Sequence, residues 1–242
     1  MQNNPQRAPH TRTKPAPAAK EAPKKPPKQV PPPEFQAEKI LKLDAASLVS
    51  LLQDPKATVF QKAKACQRLA SAGTKDSVPA LVALLAHPQL SHYARHGLET
   101  IPDPSVDDAL RAALRKLPGR PLVGVINSIA KRKDPKAAAA LSKLLYGADI
   151  EVARASASAL GHISGLESMK ALQGALARTK GAVREAVAAG GVLCAEGLLA
   201  DGQRAHALAL YSVLTREDIP KVVRIAAMHG IIDAEVSLNR PR

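Results

Sequence analysis

A unit of roughly thirty residues recurs about six times along this chain, and each copy reads as two short helices. No other feature restricts the fold so tightly. A helix pair of this length cannot bury an apolar face alone, so successive pairs are expected to stack into a one-dimensional α-solenoid. The best-formed copy carries Val-x-Arg-x-Ser-Ala-x-Ala-Leu-Gly at Val152–Gly161. A leucine marks the first helix of each copy: Leu48, Leu81, Leu110, Leu141, Leu172 and Leu208, with gaps of 33, 29, 31, 31 and 36 residues. Three copies share a trio, Leu48/Leu51/Leu52, Leu81/Leu84/Leu85 and Leu141/Leu144/Leu145. That spacing puts the three side chains on one helical face. The second helices are richer in alanine, as at Ala155, Ala157 and Ala159 or Ala186, Ala188 and Ala189. Small side chains let paired helices approach closely.

Punctuation follows the same period. Asp54-Pro55, Asp103-Pro104 and Asp134-Pro135 fall at junctions. Asp134 is placed to cap a helix whose first residue is Pro135. Ser105 and Asp108 resemble a capping box. Gly73, Gly165 and Gly202 are expected to close second helices with positive φ. No stretch alternates with period two, so the chain after about residue 38 reads as all-α.

The amino-terminal segment is different material. Residues 1–33 hold ten of the chain's twenty prolines, interleaved with alanine and lysine. Such a segment cannot bury enough apolar surface to offset its ordering entropy. Residues 1–37 are therefore expected to be a disordered, polyproline-biased arm, with the solenoid spanning 38–242. Phe35, Ile40, Leu41 and Leu43 are expected to cover the open edge of the first repeat. The arm through residue 42 carries nine basic and three acidic residues, and the remainder carries 26 basic and 18 acidic. Both parts of a chain of net charge +14 are thus basic.

Four stretches resemble bacterial HEAT-repeat proteins, the group with phycobilisome-lyase-type HEAT-like repeats. They are Lys62–Gly73 (KAKACQRLASAG), Val78–Ala86 (VPALVALLA), Leu90–Pro104 (LSHYARHGLETIPDP) and Leu122–Lys131 (LVGVINSIAK). The resemblance implies an armadillo-type superhelix used for protein interaction. It carries no lyase activity by itself, because the repeat is an architecture shared by many functions.

Candidate chemistry is sparse. Aromatic residues make up 2% of the chain and Trp is absent, whereas enzyme pockets usually have aromatic walls. A base-flipping glycosylase would need such rings around its substrate. His92 and His96 have a metal-compatible spacing but lack a third ligand nearby, so no metal or cofactor is expected. Cys66 and Cys194 read as small buried hydrophobes about 40 Å apart, beyond disulfide reach. Asn127 lies in the apolar run Leu122–Ile129 and reads as a buried amide bonded to backbone. Glu99, Asp107 and Asp108 read as surface or capping carboxylates. No apolar run approaches the length of a membrane span, and no secretory leader is visible. The expectation is a cytoplasmic monomer, or an exported one if a leader has been removed.

The basic side chains carry the functional reading. Arg154, Arg184 and Arg224 open successive second helices, and Lys131-Arg132-Lys133 adds a cluster between repeats. Such an arginine often pairs with a nearby acid, Asp149 in the case of Arg154. Exposed together on the concave face, they would instead dock an acidic partner. The expected function is a non-catalytic protein-interaction scaffold. The alternative is binding to nucleic-acid phosphates through the arm and inner surface.

Overall fold

The computed structural model describes residues 37–236. Thirteen α-helices and no strand occur among the described residues. A short α1 (Ala37–Leu41) precedes six pairs. These are α2 (Ala45–Gln53) with α3 (Val59–Ala72), α4 (Val78–Val82) with α5 (Ser91–Thr100), and α6 (Pro104–Leu114) with α7 (Gly119–Arg132). Then come α8 (Ala138–Leu144) with α9 (Ile150–Ile163), α10 (Gly165–Arg178) with α11 (Gly181–Ala200), and α12 (Arg204–Leu214) with α13 (Lys221–Val236). The proposed arm, residues 1–37, lies outside the described residues except for Ala37, which already begins α1.

Each pair packs internally, and helices also pack on their counterparts in the next pair, with one exception. The odd series runs without interruption from α3 through α5, α7, α9 and α11 to α13. The even series joins α2 to α4 and α4 to α6, then α8 to α10 and α10 to α12. Contact between α6 and α8 is slight. A single polar link crosses that gap: Arg111 of α6 bonds the buried carboxylate of Asp134, which precedes α8. Arg111 also pairs with Asp108 one turn earlier.

The leucine trios behave alike. Leu48, Leu81 and Leu141 are fully buried, as are Leu52, Leu85 and Leu145 to within 4%. The middle members Leu51, Leu84 and Leu144 are half-buried. Leu110 and Leu172 are also fully enclosed. The last pair departs from the pattern. Leu208 is only half-buried, and Ala207, Leu210 and Tyr211 fill its place in the core.

Second helices approach on small residues, as expected. A methyl group on Gly190 of α11 would sit 2.4 Å from the Ala157 carbonyl oxygen of α9, and one on Gly161 would sit 3.0 Å from Leu193 Cβ. Contacts that advance together along both helices mean that α9 and α11 run parallel.

Several capping expectations are corrected. Asp103, not Ser105, caps α6: its carboxylate accepts the Ser105 N–H at 2.9 Å, with Pro104 in the first helical position. Asp134 caps a 3₁₀ turn, Pro135–Ala137, rather than an α-helix. Gly73 ends α3 with an ordinary φ of −70°, so it needs no glycine on that ground. Gly165 opens α10, and the preceding Ser164 takes the positive φ that ends α9. Only Gly202 follows its second helix with the expected left-handed turn. At the amino-terminal edge Ile40 is buried and Leu43 half-buried against the core, but Leu41 is exposed. Phe35 lies outside the described residues.

Candidate functional site

A groove of about 380 Å³ crosses α7, α9 and α11. Its floor is mostly small: Ala155, Ala186, Ala189 and Gly190. Small side chains are placed here by the same spacing that lets α9 and α11 close up. Polar groups stand along it, notably Asn127, Ser158 and Arg154. Asn127 is therefore exposed on the face of α7, not buried as the surrounding apolar run suggested. Arg154 projects from the fifth position of α9 with half of its side chain exposed. Its partner is Glu151, at 3.0 Å on the preceding turn. Asp149 instead caps α9, accepting the N–H groups of Glu151 and Val152.

The other nominated cations do not share that groove. Arg184 bonds Asp218 at 2.5 Å, tying the start of α11 to the connection between α12 and α13. Arg216 meets the same carboxylate at 3.2 Å. Desolvation works to raise the Asp218 carboxyl, but the Arg184 hydrogen bond and the two guanidinium charges hold it below the ordinary carboxylate range. Arg224 is half-buried, and its Nε is enclosed without a partner. Arg184 is thus committed to a link between helices, whereas Arg224 is only partly exposed.

Within Lys131-Arg132-Lys133 the three side chains have three different roles. Lys131 is exposed and pairs with Glu99 at 2.9 Å. Arg132 turns inward, with 12% of its side chain exposed. Its guanidinium chelates Asp107 through Nε at 2.5 Å and Nη2 at 3.1 Å, and donates to the Ile101 carbonyl at 2.8 Å. The carbonyls of Leu98, Glu99 and Asp103 accept longer bonds from it. Arg132 therefore satisfies the carboxyl-terminal carbonyls of α5, which a helix end leaves without partners. Lys133 ends α7 in the left-handed conformation and is exposed.

Arg95 went unnoticed in the sequence. Its Nη1 donates to the Gly124 carbonyl of α7 at 3.1 Å and to Ser128 Oγ at 3.4 Å. Ser128 Oγ donates in turn to Glu99 at 2.7 Å. Glu99 is therefore a junction between α5 and α7 and not a bland surface acid. The signal was available: Ala94-Arg95 occupies the same helical position in α5 as Ala153-Arg154 does in α9.

The remaining candidates form neither a metal cluster nor a disulfide among the described residues. His92 and His96 are both exposed, and the His92 ring lies against Tyr93 at 3.9 Å. No cluster of three or more His, Cys, Asp or Glu side chains able to hold a metal occurs among the described residues. Cys66 and Cys194 are free and buried, and burial pushes their thiols up to about 12 and about 11. No helix among the described residues is long and apolar enough to cross a membrane. No protein-family model matches the chain, and no curated protein is detectably similar to it.

Proposed function

We propose that the chain is a non-catalytic interaction scaffold. It is built as an α-solenoid of six HEAT-like helix pairs, and its concave face docks an acidic surface of another protein. The observation that carries this reading is the groove over α7, α9 and α11, where Arg154 stands above a floor of alanine and glycine. A shallow floor admits a partner's backbone or side chains, and a half-exposed guanidinium offers a fork for carboxylates. The unbroken packing of odd-numbered helices supports the solenoid geometry. Of the six nominated cations, Arg154, Lys131 and Lys133 are the exposed ones available to a partner. Arg132 and Arg184 are committed to links between helices, and Arg224 is half-buried. The reading carries with it the compartment and oligomeric state proposed from the sequence, a cytoplasmic monomer, or an exported one if a leader has been removed.

The test is charge reversal with capture of partners after nuclease treatment. Arg154→Glu with Lys133→Glu is expected to lose a specific partner protein. Lys143→Glu with Arg115→Glu, on the even-numbered helices, is expected to retain it. Arg111 is unsuitable as a control, because it holds buried Asp134. Equal losses from both pairs would overturn the reading in favour of diffuse charge attraction. Capture abolished by nuclease, with a steep salt dependence, would favour the nucleic-acid alternative.

A further inference from the structure

A second cleft, of about 440 Å³, lies between the amino-terminal ends of α5 and α7. His87, Ser91, His92, Arg95, Arg120 and Pro121 line it, and no carboxylate does. Arg120 is exposed and forms no ion pair among the described residues. Arg95 is held in place by Gly124: a methyl group there would sit 2.7 Å from its Nε and 3.0 Å from Cζ. The guanidinium thus lies flat on the backbone of α7, with Nη1 committed to that helix. His87 accepts the Gln89 and Leu90 N–H groups on Nδ1 at 3.2 Å each, so its neutral ring carries the proton on Nε2, as a donor.

The local charge is not balanced. Glu99 lies 3.8 Å from Arg95 but 2.9 Å from Lys131, so Lys131 meets its charge more closely. Of the charged side chains, Arg95 and Arg120 line the cleft, and the one carboxylate near Arg95 lies outside it and is met by Lys131. The positive ends of two helices add to this field. Neither helix has an acid in its first turn.

We propose that this cleft binds a phosphate monoester dianion. Such a group carries a charge of about −1.5 to −2 and three acceptor oxygens, which matches the guanidinium fork of Arg120, the remaining Nη2 of Arg95, imidazole donors and the Ser91 hydroxyl. A carboxylate supplies one charge and two oxygens. A nucleic-acid phosphodiester supplies one charge per phosphate and attracts a track of cations more than a single cleft. The monoester comes either from a phosphorylated side chain of the partner protein or from a free phosphate ester. The first source rests on the scaffold reading, but the site can be tested without a partner.

The experiment titrates the full chain with inorganic phosphate at constant ionic strength, read by calorimetry. Saturable binding is expected, and Arg120→Ala should weaken it about tenfold through loss of charge-assisted bonds. His92→Gln should weaken it less, and Arg154→Ala should leave it unchanged. Arg120 makes no hydrogen bond or ion pair among the described residues, so circular dichroism of Arg120→Ala should match the parent. Absence of saturable binding would overturn the proposal, as would equal weakening by Arg154→Ala. Acetate or a single-stranded oligonucleotide binding as tightly as phosphate would overturn it as well. A phosphoserine peptide binding more tightly than free phosphoserine would uphold the site and assign it to a protein partner. Equal binding would uphold the site for a free ester. Loss of the phosphate site with Arg154-dependent capture intact would leave the scaffold reading standing.

Discussion

The seam between α5 and α7 and the seam between α9 and α11 join equivalent helices by opposite means. The first is wired: Arg95, Glu99, Ser128, Lys131 and Arg132 form a polar network across it. The second is nearly bare: Ser164 at the end of α9 donates one hydrogen bond to the Cys194 carbonyl of α11 at 3.0 Å, and otherwise Ala157, Gly161 and Gly190 bring the two backbones into contact. A wired seam fixes register through directional bonds, and a charged cleft opens at its amino-terminal end. A bare seam fixes spacing through volume and leaves a smooth groove floor. Equivalent helix packings therefore yield two clefts of different chemistry.

That contrast can be broken by substitution. The largest effect is expected for Arg132→Ala, which strands Asp107 and several carbonyls at the end of α5. It should cost about 3–5 kcal/mol, the usual result of removing one partner of a largely enclosed ion pair. Lysine should restore little of it, because an ammonium cannot chelate the carboxylate in the same plane. Urea denaturation measures both. A loss near zero would mean that the wiring is incidental to the seam.

A smaller effect, about 1–3 kcal/mol, is expected for Ala157→Leu at the bare seam, where added methylenes force the helices apart. Added salt should not change that loss. The smallest effect is expected for Ser128→Ala, about 1 kcal/mol for one net hydrogen bond. The loss should stay small because Lys131 still meets Glu99. If Ser128→Ala proved costlier than Ala157→Leu, the assignment of polar and steric roles to the two seams would be reversed.

The helix pairs were legible in the sequence because burial imposes a period that leucine reports directly. Leu48, Leu81, Leu110, Leu141 and Leu172 all fall in the core for that reason. Leu208 misled because the buried face of the last pair starts one residue earlier, at Ala207, and continues through Leu210, Tyr211 and Leu214. Side-chain direction was harder to read. Each residue turns about 100° around a helix, so an apolar run does not bury every member. Asn127 falls on the open face while Ile126 and Ser128 are buried. Rotation likewise splits Lys131-Arg132-Lys133, taking the middle residue inward. Partners distant in sequence were not visible at all: Arg111 meets Asp134 across 23 positions and Arg184 meets Asp218 across 34. The basic cluster was thus seen as a patch, although part of it holds the helices together. The wiring at Arg95 was missed for the same reason.

The gap between α6 and α8 has a mechanical meaning. The even-numbered series is a beam with one cut, fastened by a single strap from Arg111 to Asp134, while the odd-numbered series beside it is continuous. A bending load opens a cut before it stretches an intact row. Changes in curvature are therefore expected to concentrate beside α7, between the two clefts, so that each half moves as a stiff segment. The strap then acts as a stop: Arg111→Gln should broaden the distribution of distances between spin labels on α4 and α10 and leave that between α8 and α12 narrow.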